Sequence, residues 1–235
     1  MIEAIQSFFS INTTFFTLMD YSMSYVEFFG TIFTIWCVWL TSKAKILSWP
    51  IGIVGVTLYM VLFYQINLYG DMLEQGYFLI TGFIGWYVWL HPKKDKNGVK
   101  NDTLKISTNS FKVNVFYAIL VAFLTVVLAW VTMNLDNWLP KYFPEATTYP
   151  FLDAFTTTMS FIAQWLLVKK KLESWVLWII VDVIGIWLYW VKGVKFISLE
   201  YVLFLGIAIS GLIGWHKEHK SYSKQTKSNL ETETI

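Results

Sequence analysis

The sequence contains no arginine, and its single cysteine, Cys37, excludes an internal disulfide. Charge is scarce: 14% of residues are Asp, Glu, Lys or Arg, against roughly 25% in soluble domains. With a net charge of only +2, no basic surface for nucleic acid is implied. There is no Gly-Lys-Ser/Thr phosphate loop, which argues against a self-contained ATP-driven pump, and neither Gly-x-Ser-x-Gly nor His-Glu-x-x-His occurs. His216 and His219 stand in a lysine-rich tail without a Cys or carboxylate cage, so no metal site and no cofactor is called for. What remains is apolar: 56% hydrophobic and 19% aromatic residues with a mean hydropathy of +0.51. Water is not the main solvent of such a chain, and thirteen Trp and thirteen Tyr suit two membrane interfaces or buried aromatic walls.

A spanning helix needs about 20 mostly apolar residues. Seven windows meet that need: Tyr25 to Thr41, Trp49 to Asn67, Met72 to Leu90, Val113 to Met133, Pro150 to Val168, Trp175 to Val191 and Ser198 to Trp215. Met1-Ile2-Glu3 lacks the positive start of a secretory signal, and Ile2 to Ser10 reads as a short interfacial helix. His91 to Lys112, with Asn97-Gly98, reads as a solvated linker, and the polar chain after Trp215 as a disordered tail. Fifteen lysines fall in one set of alternate loops and three (Lys141, Lys192, Lys195) in the other. By the positive-inside rule the fifteen are cytoplasmic, which places the N-terminus outside and the C-terminus inside, as an odd number of spans requires.

The chain also repeats itself. Trp39, Lys43, Lys45 and Ser48-Trp49 recur as Trp165, Lys169, Lys171 and Ser174-Trp175 at one offset, and Gly85-Trp86 closes the third span as Gly214-Trp215 closes the seventh. One helix separates the two triplets, so they run in the same direction. The expected architecture is an all-α membrane protein with seven spans in a parallel 3+1+3 repeat and a ligand site between the repeats near mid-membrane. The divisions follow: an interfacial segment 1–20, a first repeat 21–92, a cytoplasmic linker 93–112, a linker helix with its outer loop 113–148, a second repeat 149–216 and a polar tail 217–235.

Polar groups inside spans are costly and therefore informative. In the sixth span Trp175, Trp178, Asp182, Gly185 and Tyr189 follow an i, i+3, i+4 progression, which puts two indoles, a carboxylate, a gap and a phenol on one helix face. The indoles could stack on a flat, cationic ring while Asp182 accepts from hydroxyls or balances positive charge. Alternatively, Trp175 and Trp178 belong to the interfacial belt and Asp182 binds a neighbouring helix's hydroxyls. The third span offers Gln75, with both donor and acceptor capacity for a sugar-like ligand, followed by Tyr77 and Phe78; Asp71 and Glu74 suit the headgroup region. Gln164 is either a gate contact or interhelical glue. Gly52 with Gly55, and Gly82 with Gly85, are small-x-x-small pairs that favour close helix packing.

Taken together, Ser48-Trp49-Pro50-Ile51-Gly52, Gln75-Gly76-Tyr77, Gly85-Trp86 and the sixth span, within Tyr25 to His219, resemble the PnuC family of vitamin transporters in its nicotinamide riboside branch. That branch's W-x-x-W-x-x-x-N/D signature falls on Trp175, Trp178 and Asp182, with Asp where Asn is frequent. The thiamine branch's E-x-x-x-W-x-x-W would need Glu where Lys171 stands. The resemblance implies a fold like that of the SWEET sugar transporters, a homotrimer in a bacterial inner membrane, and facilitated diffusion of nicotinamide riboside for NAD synthesis. It further implies trapping by a cytoplasmic ribosylnicotinamide kinase. On this reading Trp175, Trp178, Asp182 and Gln75 bind the substrate, while Tyr189, Gln164, Phe78 and Tyr77 line the pathway or its gates. The competing readings are a carrier of thiamine or riboflavin, and an intramembrane enzyme using Asp182. No second intramembrane acid or base stands at helical spacing to serve the enzyme, so the chain is expected not to be one.

Overall fold

The computed structural model describes residues 2–18, 21–92, 104–143, 148–191, 193 and 195–233. A helix is present at the expected place near the start, α1 (Ile2–Phe9). It is tied down by Gln65, whose amide donates to the Phe9 carbonyl at 2.6 Å and accepts from the Ile11 backbone N–H at 3.2 Å. A short antiparallel hairpin follows, β1 (Thr14–Leu18) with β2 (Tyr21–Ser24), so the fold is not purely helical. Its Thr, Phe and Tyr residues suit a strand, and the Phe15 ring packs on Tyr25 at 4.6 Å between centroids.

Ser24 then starts the first long helix, α2 (Tyr25–Ser42), by accepting from the Glu27 backbone N–H in a Ser-x-x-Glu capping arrangement. The other elements are α3 (Ser48–Gln65), α4 (Tyr69–Leu90), α5 (Phe111–Thr132), the short α6 (Leu135–Trp138), α7 (Pro150–Val168), α8 (Glu173–Val191) and α9 (Lys195–Glu233). Pro150 opens α7, where its missing N–H costs nothing. Among the described residues six helices are long and apolar enough to cross a membrane: α2, α3, α5, α7, α8 and the Ile197–Tyr222 part of α9. The third expected span, α4, has 22 residues but is the more polar one, with Asp71, Glu74 and Gln75 in its first two turns. The side chains that face outward are themselves apolar, among them Ile80 and Phe83 of α4, Ile119 and Phe123 of α5, and Ile180, Val183 and Trp187 of α8. A soluble protein would hide such faces.

Helix contacts run α2 to α3 to α4 to α7 to α8 to α9 and back to α2, closing a ring of six with α5 outside it against α7. Two tight turns join consecutive helices at the same end of the ring, Lys43–Leu47 and Lys169–Leu172. They are near copies at an offset of 126 residues, the distance from Trp49 to Trp175. Ala44 and Lys170 sit in the left-handed region at φ 52° and 53°, and their N–H groups donate to Thr41 and Leu167 at 2.8 Å in both. Lys45 and Lys171 bond back to Leu40 and Leu166 at 3.0 and 2.9 Å. Because Lys43, Lys45, Lys169, Lys170, Lys171 and Lys217 gather here, we call this the lysine-rich end.

Side-chain packing obeys the same offset. A Cβ at Gly85 would fall inside the Trp49 indole, and one at Gly211 would lie 2.8 Å from the Trp175 indole. Trp89 Nε1 donates to the Val168 carbonyl and Trp215 Nε1 to the Thr41 carbonyl, both at 3.2 Å. The matching pairs are therefore Gly85 with Gly211 and Trp89 with Trp215, correcting the alignment of Gly85-Trp86 with Gly214-Trp215. Apolar helices gain nothing by hiding from lipid, so close approach at such glycines is what makes helices cohere there.

Two further expectations change. Asn97-Gly98 lies outside the described residues, but Leu104–Ser110 is not a solvated linker: Ile106 is 2% exposed among Trp49, Trp89, Trp175 and Trp215. Beyond Trp215 the chain continues α9 to Glu233 instead of ending in a disordered tail. That stretch contains neither Gly nor Pro to stop a helix, and Tyr222 packs against the indole cluster.

Candidate functional site

The stripe read from α8 faces the ring. Trp175, Asp182 and Gly185 are buried and Trp178 and Tyr189 partly so, whereas Val176, Ile180, Val183 and Trp187 point outward. Asp182 lies midway along the nineteen-residue helix, about 14 Å from its start. It is 3% exposed and has no hydrogen bond or ion pair among the described residues.

The opposite wall comes from α4. Its C-terminal Trp89 and the N-terminal Trp175 of α8 share one cluster, so the two helices run antiparallel. Phe78 meets Trp178 at 6.2 Å between ring centroids, which fixes their relative height. From that contact Gln75 lies three residues and Asp182 four residues toward the same end, about 4.5 and 6 Å along the axes. Gln75 and Asp182 therefore stand at similar depth, just beyond an aromatic pair. Tyr77 is held aside: its hydroxyl donates to the Phe161 carbonyl at 2.9 Å and its ring packs on Phe161 at 4.4 Å.

Other expected residues are placed elsewhere. Trp175 is not an open platform, although Trp178 packs against the buried cluster it belongs to. It is 2% exposed, edge-on to Trp215 at 5.5 Å, in the cluster that closes the lysine-rich end. Its indole N–H and that of Trp49 are buried without partners among the described residues, and each costs about 1–3 kcal/mol in that state. Tyr189 stacks on Tyr201 at 5.3 Å, and that ring fills the gap left by Gly185. Gln164 is half-buried on α7 beside the exposed Trp165.

Sequence reasoning missed a polar chain toward the other end of the ring. The Tyr59 hydroxyl donates to Glu200 Oε1 at 3.0 Å, and with that proton committed, Thr31 Oγ1 donates to Tyr59 at 2.7 Å. It joins α2, α3 and α9. The 126-residue offset pairs Glu200 with Glu74, the signal in the sequence that points to it. Phe161, the ring behind Tyr77, had no signal beyond an apolar position.

A carboxylate without a partner among the described residues, at the depth of an amide and next to an indole and a phenyl ring, can hold a flat ligand that also presents hydroxyls or positive charge. No group of His, Cys, Asp and Glu among the described residues could hold a metal. An apolar crevice of about 550 Å³ lies away from these residues, between α1 and α3, lined by Phe9, Met60, Tyr64 and Met72. It carries none of this chemistry.

Known proteins similar to this chain are membrane transporters. The sequence profile of a family described as nicotinamide mononucleotide transporters matches residues 24–217. The nicotinamide riboside transporter PnuC of Escherichia coli is 31% identical over 83% of this chain and 86% of its own length. Its namesake in Neisseria mucosa is 28% identical over 80% and 71%. A riboflavin/roseoflavin transporter, RibM of Streptomyces davaonensis, is 22% identical over 87% and 91%. In three dimensions the chain is similar to the crystal structure of the vitamin B3 transporter PnuC, with a TM-score of 0.63 at 24% identity, covering 94% of this chain and 88% of that one.

Proposed function

Because the chain belongs to the nicotinamide mononucleotide transporter family, a family of membrane carriers and not of enzymes, we propose that it carries nicotinamide riboside. The observation that carries this reading is the unpartnered Asp182 on the α8 stripe, beyond the Trp178–Phe78 pair and level with Gln75. Nicotinamide offers a flat cationic ring to Trp178 and Phe78, and the ribose offers hydroxyls to Asp182 and Gln75. The mononucleotide adds a phosphate, whose negative charge a buried unpaired carboxylate disfavours. Trp175 acts at the lysine-rich end, as part of the closure there, while Tyr189 and Gln164 border the pathway.

In this reading α4 is the seventh span, supported by its 22 residues and by the apolar face of Ile80, Phe83 and Tyr87. Two three-helix repeats flank α5 in a SWEET-like 3+1+3 plan, which the duplicated turns and indole pairs support. The repeats cover 21–92 and 149–216, with 93–112 as the cytoplasmic linker and 113–148 as the linker helix and outer loop. The lysine-rich end faces the cytoplasm of a bacterial inner membrane. The carrier works by facilitated diffusion as a homotrimer, with a cytoplasmic kinase trapping the riboside.

Calorimetric titration of the detergent-purified protein with nicotinamide riboside, nicotinamide, its mononucleotide, thiamine and riboflavin tests the cargo. Binding of the riboside tightest is the expected result. Binding of riboflavin or thiamine alone overturns it.

A further inference from the structure

The segment after the third long helix does more than connect. Leu104–Ser110, without helix and with one bridging residue, Ser107, bonds to the Lys169–Leu172 turn at the lysine-rich end. Ser107 N donates to the Lys170 carbonyl at 3.2 Å and Leu172 N to the Ser107 carbonyl at 3.0 Å, a parallel bridge between Ser107 and Lys171. Asn109 N donates to Glu173 Oε1 at 2.7 Å, and Lys171 Nζ to the Thr108 carbonyl at 3.1 Å. On the other flank His219 Nδ1 lies 3.1 Å from the Ile106 carbonyl, and Lys105 sits over the Tyr222 ring at 5.8 Å. Ile106 is seated among Trp49, Trp89, Trp175 and Trp215. One short segment thus joins the first turn of α8, the extension of α9 and the indole cluster between the repeats. The equivalent turn of the first repeat, Lys43–Leu47, has no such segment among the described residues.

We propose that Leu104–Ser110 is a strap that keeps the lysine-rich end of the pathway shut, and that cargo leaves on that side only when Ile106 withdraws and the strap parts from the Lys169–Leu172 turn. The inference rests on the transport reading above. The cluster beneath the strap carries two unpaired indole N–H groups, Trp49 and Trp175, so the closed arrangement leaves polar groups unsatisfied and gains from an external clamp. Because the strap grips the N-terminal turn of α8, its release frees the helix that carries Trp178 and Asp182. Opening is therefore linked to the ligand site through one rigid helix.

A disulfide across the bridge tests this in the full-length protein. Paired strands lie about 4.8 Å apart, within the roughly 4.4–6.8 Å between Cα atoms that a disulfide allows. In a Cys37→Ala background, Ser107→Cys with Lys171→Cys is oxidised, reconstituted in liposomes and compared with the reduced protein. The expected result is riboside affinity unchanged within about threefold in both states, with uptake at least tenfold slower when oxidised and restored by reductant. Equal uptake in both states, the outcome for a merely structural strap, overturns the proposal. If neither state binds the riboside, the cargo reading fails and the strap is judged without ligand. Cys37→Ala with Ala208→Cys places a thiol in the buried cluster, where Ala208 is 1% exposed. Adding Ile106→Ala then speeds its labelling by a membrane-impermeant maleimide from the lysine-rich side at least tenfold, and an unchanged rate overturns the strap.

Discussion

Replacing Asp182 separates binding from folding more cleanly than any other single change, because the side chain is buried yet bonded to nothing else among the described residues. Asp182→Ala removes a group whose burial without a partner costs about 1–3 kcal/mol, more when charged, and breaks no hydrogen bond or ion pair among the described residues. Thermal stability should therefore hold or rise. Binding should fall, since hydrogen bonds to a charged acceptor contribute about 1.5–3 kcal/mol. At 1.4 kcal/mol per decade that is a loss of roughly 10- to 150-fold in riboside affinity. Asp182→Asn keeps the shape and one acceptor but not the charge, and should fall between the two. The assay is calorimetry paired with a thermal melt on the same detergent-purified sample. If Asp182 instead holds a neighbouring helix together, the pattern inverts: the melt drops by several degrees and the affinity stays. That inverted result refutes the reasoning.

The status of α4 is checked by single cysteines in a Cys37→Ala background at Asn67 and His91, which should react with an impermeant thiol reagent from opposite sides of the membrane. Gly85→Ala should destabilise by about 1–3 kcal/mol through overpacking against Trp49, and Gly211→Ala by less, whereas Gly206→Ala, with nothing within 4 Å, should be neutral or stabilising; melts of the three rank the sites. Tyr59→Phe removes the donor to Glu200 and should cost about 1–3 kcal/mol. Adding Glu200→Leu to it should recover part of that loss in a double-mutant cycle.

How much of this was legible in the sequence depends on the range over which each signal acts. Hydropathy and local spacing are carried by neighbouring residues, so the ends of α7 at Pro150 and Val168 and the buried stripe of α8 could be read directly. Asp182 could be singled out because the cost of a carboxylate among apolar residues does not depend on the fold. Ile106 could not, because six lysines and Asn97-Gly98 around it dominate any window average, and only the fold shows that one isoleucine reaches the indole cluster. The hairpin Thr14–Ser24 was missed for a similar reason: two strands of five and four residues carry too little alternation to register beside long apolar helices. The burial of Trp175 in the cluster at the lysine-rich end is not legible in the same way, because periodicity gives the face of a helix but not the height at which the ring is closed.

The repeat itself then explains where the ligand chemistry lies. Counting back 126 residues from Trp175, Gly211 and Trp215 gives Trp49, Gly85 and Trp89, so the closure at the lysine-rich end is duplicated. Counting back from Trp178 and Asp182 gives Gly52 and Val56, so the aromatic platform and the carboxylate are not. Gly52 lets α3 approach α2 so closely that an added Cβ would lie 2.7 Å from Cys37 Sγ, and that position is spent on packing. The strap is equally one-sided, gripping the turn before α8 and not its counterpart before α3. Scaffold and closure thus follow the pseudo-symmetry, while in the proposed carrier Trp178 and Asp182 lie on α8 and the strap grips the turn before it. Once the strap parts, a rotation of α8 would move the platform and the carboxylate together, which is the coupling that a carrier opening to one side at a time requires.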